Sequence, residues 1–377
     1  MSQTRILLLY GTRPEAIKLA PVLEALRSSP ETFQVIACAT GQHRELLDQV
    51  GSSLELLPDV KLDLMRSDQS LNELAARAFA ALDRVVAEAA PEWVVVQGDT
   101  TTAMVGAWVA FHRGVKVAHV EAGLRTGDLR QPFPEEANRR VVDLLADALF
   151  APTERARDVL IAEGVEPDRV FLTGNTVIDA LQRIAAELPA EEPGPIEVLI
   201  TVHRRESFGA PLRRIFAALR ELAGAFPEVR WIYPVHPNPN VQGAVRELLS
   251  GLPNLELHQP FPYRELVRRL RRTRLVLTDS GGLQEEAPAF GKPVLVLREK
   301  TERPEGLAAG VARLVGTRPT TIVAEAERLL RSEEEYQRMA AAVSPYGDGQ
   351  AAGRIAAILA GQPYSPFVPE STVWVGR

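Results

Sequence analysis

Short apolar runs without internal polar alternation recur along this chain, and each is followed by a segment of helical periodicity. The runs in the first half are Arg5–Tyr10, Phe33–Ala39, Trp93–Gln97, Lys116–Val120, Ala148–Ala151 and Val170–Thr173. A strand that is apolar all round must be covered on both faces, and intervening helices supply that cover only around a parallel sheet. The spacing predicts helices over Glu15–Ser28, Ser70–Ala90, Thr101–Arg113, Pro134–Leu145, Glu154–Glu163 and Thr176–Glu187; Pro14 suits the first turn of the earliest. Leu188–Pro195, LPAEEPGP, reads as a linker. The rhythm then resumes with strands Ile196–Thr201, Arg230–Pro234, Leu255–Leu257, Leu275–Thr278 and Pro293–Leu297. Between them lie helices over Leu212–Ala225, Asn240–Leu249, Tyr263–Arg272 and Gly282–Phe290, with helical segments following in Thr320–Ala342 and Ala351–Leu359. A length of 377 residues suits two domains. The expectation is an α/β fold of two doubly wound Rossmann-type domains facing a cleft, with bounds 1–188 and 189–366.

In such sheets ligands bind beyond the carboxyl ends of the strands. Arg13, Gln42, His43, Asp99, Glu121, His203, Arg204, His236, Asp279 and Ser280 stand at those ends in both halves, which points to one cleft. In Leu275–Gly306, a strand is followed by Ser280, Gly281 and Gly282, which open a helix carrying Gln284, Glu285 and Glu286. Free N–H groups and the helix dipole there favour an anion, and two early carboxylates suit vicinal hydroxyls such as those of a ribose. The other reading is an ordinary turn whose acids complement the dipole. Arg13 and Lys18 bracket a helix start, as cations for a diphosphate or as solvated charges. Asp99 is either a helix cap or a chemical group. Glu121 follows a buried strand directly; burial raises a carboxyl pKa and makes it a candidate general acid or base. Glu135 and Glu136 stand at a helix start, where dipole complementation is the alternative. His203, flanked by Arg204 and Arg205, fits an anion pocket or an acid–base role, and His236 in YPVHPNP is similar.

Several classes are disfavoured. The net charge of −6 gives no electrostatic reason to expect nucleic acid. The one basic cluster, Arg264, Arg268, Arg269, Arg271, Arg272 and Arg274, reads as a solvated helix face. Cys38 is the single cysteine, so no intrachain disulfide and no paired-cysteine zinc site can form. No metal-ligand spacing and no G-x-S-x-G elbow is present, so no metal is expected. No apolar run approaches the roughly 20 residues that span a bilayer, and MSQTRILLLYGTRPE reads as a first strand rather than a signal peptide. A cytoplasmic protein with no membrane partner is expected.

The motifs GTRPEAIK (Gly11–Lys18), GQH (Gly41–His43), GDT (Gly98–Thr100), HVEAGLRT (His119–Thr126), PFPEEANR (Pro132–Arg139), GNTVIDAL (Gly174–Leu181), HRRES (His203–Ser207), PVHPNP (Pro234–Pro239), DSGGLQEEAP (Asp279–Pro288) and TERPEG (Thr301–Gly306) occur in that order. Together they resemble the non-hydrolysing UDP-N-acetylglucosamine 2-epimerases. The resemblance implies a GT-B-like fold and interconversion of UDP-N-acetylglucosamine and UDP-N-acetylmannosamine without a cofactor, by anti elimination of UDP and re-addition to 2-acetamidoglucal. It also implies catalytic roles for Asp99, Glu121, Glu135 and His203. Arg13, Lys18, Arg139, His236, Ser280, Gly281, Gly282, Glu286 and Arg303 would bind substrate, with Glu286 on the ribose. A second UDP-N-acetylglucosamine would act as an allosteric activator at Gln42 and His43, although Glu45 and Ser207 depart from the commoner pattern. A homodimer is implied, as is a C-terminal segment, 367–377, that packs back on the first domain. Within this resemblance the rivals are a GT-B glycosyltransferase and a hydrolysing epimerase.

Overall fold

The structure, a computed structural model, describes residues 3–41, 56–66, 68–190, 194–204 and 207–369. The strands, in chain order, are β1 Thr4–Tyr10, β2 Phe33–Ala39, β3 Val60–Lys61, β4 Trp93–Gln97, β5 Lys116–Val120, β6 Ala148–Ala151 and β7 Val170–Leu172. They continue with β8 Glu197–Thr201, β9 Arg230–Pro234, β10 Leu255–His258, β11 Thr273–Thr278, β12 Val294–Val296 and β13 Ala312–Leu314. They form two sheets, ordered β3-β2-β1-β4-β5-β6-β7 and β10-β9-β8-β11-β12-β13. Every pairing is parallel. Each sheet starts in the middle, runs to one edge and then winds the other way, the doubly wound order whose reversal marks the binding crevice.

The all-apolar runs behave as their pattern predicts. Ile6 to Tyr10, Val94 to Val96 and Leu275 to Leu277 are buried almost completely, because helices cover both sheet faces. The short strands β3 and β13 carry too little apolar sequence to be read beforehand; pairing with a formed neighbour makes them. The long helical segment expected over Thr320–Ala342 is two helices, Pro319–Arg331 and Glu333–Ala340, because Ser332 breaks the first in an extended conformation and caps the second. The helix expected over Gly282–Phe290 is Gly281–Glu286 followed by a separate 3-10 turn, Pro288–Phe290. Glu285 and Glu286 therefore close this short helix, so the reading of them as first-turn dipole partners is corrected.

The chain divides into two compact units: Met1–Gln182 with Tyr346–Val368, and Arg183–Pro345 with Pro369–Arg377. The second boundary differs from the expected one at 366. Helix Ala351–Leu359 belongs with the first unit, where the amide of Ala352 donates to Asp179 at 2.8 Å and Arg354 donates to the carbonyl of Thr173 at 3.0 Å. The Asn175 amide donates to the Tyr346 carbonyl at 2.7 Å, and the Phe367 amide to that of Leu172 at 3.0 Å. Helical periodicity says which face of a segment is apolar but not which sheet will cover it. Residues 370–377, and 191–193 of the expected linker, lie outside the described residues.

Candidate active site

At each topological switch point a buried carboxylate ties two loops together. In the first unit it is Glu15, in the opening turn of helix Arg13–Arg27. It accepts from the amides of Gly11 at 3.0 Å and Thr12 at 2.7 Å after β1, and from the Thr100 hydroxyl at 2.6 Å after β4. Burial pushes its carboxyl above the ordinary range, with the hydrogen bonds of Thr100, Thr12 and Gly11 working against that. In the second unit it is Asp279, fully buried after β11. It accepts from the amides of His203 at 2.9 Å and Arg204 at 2.8 Å, and from Ser207 Oγ at 3.2 Å, all in the loop after β8. Asp279 was expected at a strand end facing the ligand, without a role; Glu15 was not among the expected site residues. Both stand in the motifs, but their work is to close a loop, which residue type alone does not reveal.

Glu121 follows β5 with φ of +69°, a left-handed conformation uncommon for a side chain of this size. Its carboxylate is buried. Oε1 receives Lys18 Nζ at 2.5 Å and Asn175 Nδ2 at 3.2 Å, and Oε2 receives the Gln97 amide. Lys18, expected as a diphosphate cation, is thus inside the protein as the partner of Glu121. Asp99 is not the helix cap: Thr100 is, accepting from the Ala103 amide at 3.1 Å. The Asp99 carboxylate pairs instead with the buried Arg139, and its carbonyl accepts from Asn138 Nδ2 at 2.9 Å. Both partners come from helix Glu135–Leu145, whose first residue is the half-buried Glu135. Glu136 is fully buried and caps the preceding loop, accepting from the amides of Thr126 at 3.1 Å and Gly127 at 3.3 Å; its role is structural. Arg13, half-buried, is the first residue of its helix.

In the second unit the rings of His203 and His236 stack, 5.3 Å between centroids at 11°. His236 Nδ1 accepts from the Asn238 amide at 3.1 Å. A neutral ring with that contact carries its proton on Nε2. Ser280 precedes helix Gly281–Glu286. A methyl group on Gly281 would stand 2.5 Å from Arg303 Nη1, so glycine is what lets the guanidinium lie against the turn. A methyl group on Gly282 would meet only Ser280 Oγ, at an ordinary contact distance of 4.0 Å. Arg303 is buried between Glu285 at 2.7 Å and Glu302 at 2.5 Å, and Arg298 reaches Glu302 at 2.7 Å. Burial acts to raise the Glu302 carboxyl, but the arginines outweigh it and hold the group far below the ordinary range. Glu286 is buried and accepts from the Tyr263 hydroxyl at 3.2 Å.

In the first unit, then, Lys18, Glu121, Asp99 and Arg139 lie in two bonded clusters. In the second unit, Gly281 and Arg303 lie together, and His203 lies against His236. Gln42 and His43 lie outside the described residues. Asn175, missed beforehand although it stands in GNTVIDAL, completes the Glu121 pocket. Among the described residues no group of three or more His, Cys, Asp or Glu side chains is placed to hold a metal ion, and no helix is long and apolar enough to cross a membrane.

A model of the UDP-N-acetylglucosamine 2-epimerase family matches residues 24–360. The chain belongs to this family. It is 47% identical over 365 residues to the UDP-N-acetylglucosamine 2-epimerase of Salmonella typhimurium, covering 93% of this chain and 97% of that protein. Among solved structures it is similar to the Neisseria meningitidis UDP-GlcNAc 2-epimerase bound to UDP-GlcNAc, with TM-score 0.90 and 40% identity over 95% of this chain and 100% of that one. The Methanocaldococcus jannaschii enzyme in complex with UDP-GlcNAc and UDP has TM-score 0.82 and 31% identity, over 94% and 99%. These epimerases share the GT-B-like pair of parallel α/β domains that the two sheets form here.

Proposed function

We propose that this member of the epimerase family interconverts UDP-N-acetylglucosamine and UDP-N-acetylmannosamine without hydrolysis, by anti elimination and re-addition of UDP. A carboxylate removes the C2 proton, the C2–H electron pair becomes the C1–C2 double bond, and the C1–O bond breaks with its electrons leaving on UDP. A second group protonates C2 from the opposite face, and the UDP oxygen returns to C1. This sequence is redox-neutral and needs only positioned acids, bases and cations. Asp99, Glu121 and Glu135 are the proton-transfer candidates. His203, Arg13, Ser280, Gly281, Gly282 and Arg303 are assigned to the diphosphate, Glu286 to the ribose, and Lys18, Arg139 and His236 to support of these groups. The observation that carries the reading is the Glu121 pocket, a buried carboxylate on a strained turn with three donors, beside an Asp99–Arg139 pair. A core that needed only stability would place apolar side chains here, since buried ion pairs are poor stabilisers. A homodimer, and an activator contact at Gln42 and His43, belong to the same proposal; sigmoidal substrate dependence would be their mark.

The test is turnover of UDP-N-acetylglucosamine in deuterated water. Deuterium at C2 of both epimers, with no free N-acetylmannosamine, is expected. Epimerisation without label would overturn the elimination route, and release of free sugar would reassign the chain to hydrolysis.

A further inference from the structure

His119 and Asp143 take no part in the chemistry above, yet they touch both turns that carry it. His119 lies on β5 and is fully buried. Its Nε2 is 2.8 Å from the carbonyl of Gly98, an acceptor only, so Nε2 donates. Its Nδ1 is 2.6 Å from Asp143 Oδ1. Asp143 Oδ2 receives Arg125 Nη1 at 2.7 Å and the amide of Gly123 at 3.3 Å. Gly98 immediately precedes Asp99, while Glu121 lies between His119 and Gly123. One buried pair therefore binds the turn bearing Asp99 to the turn bearing Glu121.

The same helix reaches the Asp99 turn twice more, through Asn138 and Arg139. Its residues 135, 138, 139 and 143 recur at helical spacing, so they share a face. The face presents in order Glu135, then Asn138 and Arg139 on Asp99, then Asp143 on His119. The turns themselves are left-handed, with φ of +68° at Gly98, +69° at Glu121 and +88° at Gly123, and the strain falls on Glu121, since glycine adopts such angles freely. For the non-glycine member such strain is of order 1 kcal/mol and persists only where neighbours over-determine the backbone. The amides of Glu121 and Ala122 both donate to the Phe150 carbonyl at 3.1 Å, which fixes one side of the turn; the His119–Asp143 link fixes the other. Burial acts to raise the Asp143 carboxyl, but His119 and Arg125 outweigh it and keep the group below the ordinary range, so the link is charge-assisted.

We propose that His119 and Asp143 are positioning residues of the epimerisation: they set where Asp99 stands relative to Glu121, and so how evenly C2 is protonated on its two faces. The inference rests on the epimerase reading given above. An intermediate common to both directions partitions between return to the starting epimer and inversion to the other. A displacement of one carboxylate against the other changes that partition, whereas a loss of folded protein changes only the total rate.

The experiment measures, at early times in deuterated water, the ratio of C2-deuterium in recovered UDP-N-acetylglucosamine to that in UDP-N-acetylmannosamine. His119→Ala and Asp143→Asn are each expected to shift this ratio by about threefold or more, the equivalent of a fraction of a kcal/mol in relative barriers. His119→Gln, which retains a donor toward Gly98, should lie closer to wild type than His119→Ala. Asp143→Asn keeps the shape of the side chain and decides the matter if His119→Ala does not fold. A ratio equal to wild type in the folded variants, whatever their rates, would make His119 a core histidine and overturn the proposal. Failure of the wild-type chain to label C2 at all would instead count against the epimerase reading itself.

Discussion

The Lys18–Glu121 pair is the contact whose removal the structure most sharply prices. The atoms are 2.5 Å apart, and the two side chains are 8% and 5% exposed. Deleting one partner of such a pair strands a buried charge, at a cost of about 3–5 kcal/mol. Gln97 and Asn175 stay on Glu121 after Lys18→Met, so the lower end, about 3 kcal/mol, is expected there. Glu121→Gln keeps the shape and leaves an amide oxygen for Lys18, so about 2 kcal/mol is expected. The double variant strands neither charge. It should lose less than the two singles combined, with a coupling of about 2 kcal/mol. Urea titration gives the free energies, with hydrogen exchange of strand Lys116–Val120 reporting the first unit locally. The same Glu121→Gln protein should lose epimerase activity while binding UDP as before. Single losses below about 1 kcal/mol, or strictly additive ones, would refute the reasoning, because they would mean the pair is solvated in solution.

Two further outcomes are expected. Gly281→Ala places a methyl group 2.5 Å from Arg303 Nη1 and should drive the guanidinium off the turn; calorimetry should show UDP affinity reduced about tenfold, about 1.4 kcal/mol, and unchanged affinity would remove Arg303 from the diphosphate. Burial pushes the Asp179 carboxyl up to about 7 where it caps helix Ala351–Leu359, with Asp348 adding to the shift. Since the folded value exceeds the unfolded one, the folded chain holds the proton longer. Stability is then greatest below the unfolded pKa and falls by about 1.4 kcal/mol per pH unit as pH rises toward 7. Hydrogen exchange of that helix should track this fall and lose it in Asp179→Asn; an equal slope in the variant would place the titration elsewhere.

Much of the architecture was legible because it depends on local pattern. An all-apolar run such as Arg5–Tyr10 or Leu275–Thr278 has one stable setting, a parallel strand covered on both sides, and these runs are the centres of their sheets. Strand ends were legible for the same reason, so Asp99, Glu121, His203 and Asp279 could be placed at the carboxyl ends of their strands before any contact was known. The family, too, was carried by motifs in order. What pattern could not show was who answers whom. Thr100 rather than Asp99 caps its helix, and Lys18 turns inward to Glu121 rather than out to a phosphate. Glu15 and Asp279 close loops, and His119 joins two turns from strands that are sequence-distant.

The sequence by itself determined two doubly wound sheets, the strand ends that carry polar residues, and the epimerase family. These follow from periodicity and motif order, which are properties of neighbours in the chain. Only the tertiary structure decided that Tyr346–Val368 returns to the first unit, that Arg303 lies against Gly281, and that one helix face holds Asp99 and His119 together. Those are partnerships of buried charge and hydrogen bond between residues far apart in sequence. Each exists because a buried polar group must find a partner wherever packing brings one within reach.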